Sequence, residues 1–148
     1  MSKKRVVKQS FPKDMAEILA SVKKILTSSL HVDQECVIAT TTNIVSDLGA
    51  EETDWMDIVW RLEKTFKIKI PKDVVKPDFI FVNQKFTSGG KVTQEGLNEI
   101  KKRMPFIDLS IFEKDPRVNK LHSLYTVQHV ANCIAFRLGL KRFISALS

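Results

Sequence analysis

Apolar residues recur at helical spacing in four stretches of the chain, and each stretch is bounded by residues that start or stop a helix. Met15, Ile18, Leu19, Val22, Ile25 and Leu26 follow at three- and four-residue intervals, which predicts a helix over about 13–29 burying one face. A second stripe of Trp55, Ile58, Val59 and Leu62, broadened by Met56, Trp60 and Phe66, begins at Glu51. Phe66, Ile68 and Ile70 then alternate with Lys67 and Lys69 in an extended exit that Pro71 closes. Thr93 is an N-cap candidate for a third helix carrying Leu97, Ile100 and Met104 and ending near Pro105. Thr126 is the corresponding candidate for a fourth, whose face is Val127, Val130, Ala131, Ile134 and Leu138 and whose end is Gly139.

The segments between these stripes are less regular. Residues 30–46 scatter Val32, Cys36, Val37, Ile38, Ile44 and Val45 among Thr and Asn, the pattern of a long loop tacked to the core. From Pro77 to Gly90 an aromatic and β-branched run ends in a Gly-Gly turn, and a short strand or a packed loop fits it equally well. A small helix is expected over 108–114, around Leu109, Ile111 and Phe112. Residues 1–12 read as a basic arm and 140–148 as an amphipathic tail, leaving 13–139 as a single domain.

Composition narrows the function classes. A chain of 148 residues that is 43% hydrophobic can fill one core. No stretch approaches the roughly 20 uncharged residues of a membrane span, and the start lacks a secretory apolar run, so a cytoplasmic location is expected. Cys36 and Cys133 stand outside any CxxC spacing and are expected as buried free thiols. His31, His122 and His129 are scattered and are expected at the surface or its boundary. With no nucleophile beside a base and no metal-ligand set, the chain does not read as an enzyme.

Charge is unevenly distributed. The formal total is +7, yet from Asp47 to Glu63 six acids face one base, Arg61, so that segment carries −5 and the remainder +12. The basic residues outside it include Lys3, Lys4, Arg5, Lys8, Lys101, Lys102, Arg103, Lys141 and Arg142. A nucleic-acid or anionic-surface binding module is therefore one reading. These short clusters lack the interleaved aromatics and groove-reading motifs of such a binder, so nucleic acid ranks behind other partners.

The acidic segment carries a resemblance. Asp47-Leu48-Gly49-Ala50-Glu51-Glu52-Thr53-Asp54-Trp55-Met56-Asp57-Ile58-Val59 and its continuation Leu62-Glu63, Phe66, Ile68, Ile70-Pro71 resemble the centre of acyl carrier proteins. There an Asp-Leu-Gly turn leads to Asp-Ser-Leu-Asp and a recognition helix. The first helix, the long loop and Tyr125-Thr126-Val127 are similar to that family too. The fold implied is all-α: an acyl-carrier-like four-helix bundle, with an insertion over about 72–120 before the last helix, as in enlarged, specialised acyl carrier proteins.

The resemblance also implies chemistry, and the chain departs from it at one position. The family's serine, which accepts phosphopantetheine, is replaced by Glu52, with Glu51 and Thr53 on either side. A carboxylate does not form that phosphodiester, so no cofactor is expected. Thr53 lies one residue late and Ser46 lies before the turn. Glu52 reads either as a mimic of the phosphate-bearing form or as ordinary first-turn capping chemistry. The helix keeps a docking role, implied by the resemblance, for Glu51, Asp54, Trp55, Met56, Asp57 and Glu63. Trp60 is expected in the core, with Trp55 or Met56 as the exposed contact. The implied partners are acyl-carrier-dependent enzymes of fatty-acid, lipid or polyketide metabolism with basic docking patches, met by a monomer. The alternative is a genuine acyl carrier delivering thioester-bound acyl chains, with its arm attached elsewhere or its serine altered in this sequence.

Overall fold

In the computed structural model, residues 14–33, 35–71 and 75–140 are described. The expected basic arm and nearly all of the expected C-terminal tail lie outside them. Four α-helices occur among the described residues: α1 (Met15–Ser29), α2 (Glu52–Phe66), α3 (Gln94–Arg103) and α4 (Val127–Arg137). Their only sheet is a two-stranded hairpin, β1 (Thr87–Ser88) against β2 (Lys91–Val92). The fold is thus all-α, an acyl-carrier-like helical bundle with the added segment ahead of the last helix.

Each helix starts where local chemistry sets it. The Asp14 carboxylate accepts from the Glu17 N–H at 3.1 Å and opens α1 at Met15, two residues later than the stripe alone suggests. Thr93 and Thr126 accept from the Gly96 and His129 N–H groups, each at 3.1 Å, and cap α3 and α4. The Pro77–Gly90 segment resolves into two 3₁₀ turns, Asp78–Phe81 and Gln84–Phe86, followed by the hairpin. Gly89 and Gly90 both have positive φ, the requirement of the tight two-residue turn joining β1 to β2. Further 3₁₀ turns occupy Phe112–Lys114 and Val118–Leu124; the first is all that forms of the expected 108–114 helix.

The centre of the bundle is α4. Eight of its eleven residues are buried, and α1 packs chiefly along it and secondarily on α2. Met104, Phe106, Leu109 and Phe112, from the segment before α4, join the same apolar cluster as Ile18, Leu26, Ile58 and Leu62. Two expectations are corrected, one by the crowding around α4 and one by the exposure of the loop before α2. His129 is buried, not at the surface, because it points from the fourth helix between the Phe106 and Tyr125 rings. Cys133 is buried as expected, but Cys36 sits exposed on the 30–50 loop.

Candidate functional site

The acidic turn before α2 is built around one buried side chain, Asn43. Its amide group donates to the His122 carbonyl at 2.8 Å, and its carbonyl accepts the Val45 and Ser46 N–H groups, each at 2.9 Å. The Asn43 N–H in turn donates to Asp47 at 2.8 Å, and Asn43 bridges to Thr126. A buried amide tied through both its carbonyl and its amino group fixes geometry, because leaving such a group unpaired costs about 1–3 kcal/mol. The chain then turns at Gly49, whose φ of +73° suits glycine, and buries Ala50 before α2 begins.

Glu51 is the N-cap of α2, and its N–H donates to Asp54 at 2.8 Å. Glu52 is the first residue of the helix and is exposed. Its carboxylate meets the Lys76 ammonium at 2.8 Å, and that ammonium lies 5.6 Å from the centre of the Trp55 ring. Lys76 is therefore held by a carboxylate and by an aromatic face together. Beside the pair runs an open groove of about 420 Å³, with apolar walls from Met56, Val59, Ile70 and Val75 and with Asp78 at its edge.

The segment that brings Lys76 here is anchored from α4. The His129 Nε2–H donates to the Val75 carbonyl at 2.7 Å, and that partner assigns the proton to Nε2. Burial pulls the imidazole below its ordinary value, against a weaker upward pull from the Val75 bond, so it is neutral near pH 7. Tyr125 packs edge-on against Trp55, with ring centres 5.8 Å apart. Burial, then the charges of Asp78 and Glu52, push its hydroxyl well above the usual range and keep it protonated.

The residues expected to face a partner divide into three groups. Glu51 and Met56 are exposed, Met56 at 69%. Asp54, Asp57 and Glu63 are half-buried and engaged within the chain. Asp57 accepts from the Ser29 hydroxyl and pairs with Arg61 at 2.9 Å, and the Ser29 bond is the largest influence lowering its pKa. Glu63 accepts the Ile70 N–H at 2.8 Å and ties the extended exit to the helix.

Trp55 and Trp60 are exchanged relative to expectation. Trp55 is 4% exposed and belongs to the core, which removes it from the docking surface, whereas Trp60 is 55% exposed. Helix phase is the reason: Trp55, Ile58, Leu62 and Phe66 succeed one another at intervals of three and four, and Trp60 lies two residues off that row. That period was available in the sequence. Lys76, Val75, His129 and Asn43 were missed, and nothing in their local sequence signals the contacts they make.

Other candidate chemistry is thin. Among the described residues no three His, Cys, Asp or Glu side chains gather closely enough to hold a metal ion. No helix among them is long and apolar enough to cross a membrane. In the basic cluster at 101–103, Lys101 pairs with Glu113 at 3.0 Å, and Arg103 pairs with Glu99 at 2.7 Å and lies over Phe79. The clusters at 3–8 and 141–142 lie outside the described residues.

No protein-family profile matches the chain. The acyl carrier protein of Syntrophobacter fumaroxidans is 35% identical to it over 60 residues, which span 40% of this chain and 73% of that protein. This chain belongs to the acyl carrier protein family. No solved structure matches it. Membership gives an acyl-carrier-like role in general terms, and the acidic start of α2 places the exposed Glu52 in the wall of a groove.

Proposed function

We propose that this protein is a specialised acyl-carrier-type docking protein that engages enzymes of acyl metabolism through α2 and holds no phosphopantetheine at position 52. The observation that carries the reading is the carboxylate of Glu52 on the first residue of α2, where the family's attachment serine is expected, fastened to Lys76 at 2.8 Å. Attachment needs a hydroxyl oxygen to form the phosphodiester, and Glu52 offers none, so the residues present do not fit the group. The pairing also bears on the two readings of Glu52. A phosphate mimic needs a charge available to the partner, and here a neighbouring cation already meets it, which supports a structural role for the pair.

Docking is supported by Met56, exposed in the wall of the groove, and by the exposed Glu51 that precedes the helix. Such contacts steer association and are weakened by salt. One observation favours the alternative, a genuine carrier: Thr53 is exposed on the same first turn and has a hydroxyl.

The test is an intact mass after incubation with coenzyme A and a promiscuous phosphopantetheinyl transferase. The wild-type chain is expected to remain unmodified, and Glu52→Ser is expected to gain one phosphopantetheine because the turn and helix are retained. A wild-type mass gain overturns the proposal. Its loss in Thr53→Val would then place the arm on Thr53.

A further inference from the structure

The far end of α2 has a character opposite to its acidic start. Trp60 stands out from the helix with the Lys64 ammonium 4.6 Å above its ring. Lys67 caps the helix with φ 55°, and Lys69 follows in the extended exit. These four residues, with Ile68 and Glu63, line a shallow cleft of about 410 Å³. From α4, Arg137 donates to the Lys69 carbonyl at 3.0 Å and adds a fourth cation to its border.

Lysines in a last helical turn often do no more than complement the helix dipole. That accounts for Lys64 and the C-cap Lys67 on α2 and for Arg137 in the last turn of α4, but not for Lys69, which lies past the helix. Glu63 is the single acid in the cleft, and one of its oxygens is taken by the Ile70 N–H. None of Lys64, Lys67 and Lys69 is paired with a carboxylate among the described residues.

We infer that the cleft around Trp60, Lys64, Lys67 and Lys69 is a second docking surface, for a protein segment that places apolar side chains on Trp60 and carboxylates against the lysines. The inference rests on the docking role proposed above and adds to it that the partner is acidic at this end. Two features select a protein over a membrane or a nucleic acid. The cleft sets the exposed Trp60 ring and Ile68 among three lysines, which suits an apolar side chain flanked by carboxylates. In addition, Glu51 and Glu52 stand only about 12–20 Å along the same helix, at 1.5 Å per residue. A uniformly anionic surface extended along the whole of α2 is brought directly against the exposed Glu51 at the other end of the helix, a contact it does not complement. A protein surface can match both ends.

The probe is an end-blocked hexapeptide with two central leucines flanked by pairs of glutamates, compared with its lysine counterpart. Binding is read by fluorescence on the full chain and on Trp60→Phe, so that the buried Trp55 is subtracted. The glutamate peptide is expected to perturb Trp60 and the lysine peptide not to. Lys64→Glu, Lys67→Glu and Lys69→Glu combined are expected to weaken binding about tenfold or more, and Lys114→Glu, a reversal at an exposed lysine that does not line the cleft, to leave it unchanged. Circular dichroism of the triple variant guards against unfolding, and the three single reversals replace it if it fails to fold. The inference is overturned if neither peptide binds, if the reversals have no effect, or if anionic phosphatidylglycerol vesicles or oligo-dT bind more tightly than the glutamate peptide. Those results leave the intact-mass outcome for position 52 untouched.

Discussion

Acidification is expected to weaken this fold through His129, and the size of the effect follows from where the imidazole sits. It is buried between the Phe106 and Tyr125 rings, and its one hydrogen bond is to the Val75 carbonyl at 2.7 Å. No carboxylate shares that hydrogen bond, so no nearby anion rewards protonation there. In the unfolded chain the group returns to about 6.5. In the fold it lies lower, chiefly from burial. The unfolded state therefore binds more protons as the solution is acidified. Stability from neutral His129 is complete above about pH 6.5 and is lost as pH falls toward the folded value. Between about pH 7.5 and about pH 5.5 the loss has a ceiling of about 1–2 kcal/mol, set by the proton the unfolded imidazole takes up.

The comparison is urea unfolding at both pH values for the wild type and for His129→Gln. The glutamine amide still donates to Val75 but does not titrate. The wild type is expected to lose more stability than the variant across that interval, up to that ceiling. Asp57, Asp108 and Asp115 have lowered values, so their contributions are lost only near and below the ordinary carboxylate value of about 4, outside the interval. Parallel pH profiles for the two proteins refute the assignment of His129 as a buried neutral donor. A shared loss would have to come from another group.

The exchange of the two tryptophans is tested by truncation: Trp55→Ala is expected to cost about 3–5 kcal/mol in denaturant unfolding and Trp60→Ala under about 0.5, and equal costs contradict the helix phase. Gly96→Ala is expected to destabilise by about 1–3 kcal/mol although alanine is favoured over glycine in a helix by about 1, which a thermal melt checks. The added Cβ falls 2.4 Å from the Phe86 carbonyl oxygen, which the Thr93 N–H holds at 2.9 Å, and 2.7 Å from a Val92 methyl. A native-state titration with a thiol reagent is expected to label Cys36 and spare Cys133, whose thiol burial pushes up to about 12; labelling of both before unfolding contradicts that burial.

Much of the fold was legible because its determinants are local. The threonine caps of α3 and α4 act over three residues, and the stripes of α1 and α2 repeat every three or four, so both can be read from a short window. The hairpin was open between two readings because its strands are two residues each, too short for alternation to show. The Trp55 and Trp60 misplacement has a different origin. A stripe widened to include every large apolar residue loses its phase, and phase decides which of two tryptophans meets the core.

The candidate site divides along the same line. By itself the sequence determined that α2 starts in a cluster of acids and that position 52 carries a carboxylate, since both are statements about neighbouring residues. Only the tertiary structure decided that Lys76 meets that carboxylate from 24 residues away, that His129 holds Val75 across 54, and that Asn43 reaches the His122 carbonyl across 79. None of these partners shares a helix or a turn, so no periodicity links them. They are brought together by burial of the apolar cluster around α4, which fixes where each backbone lies.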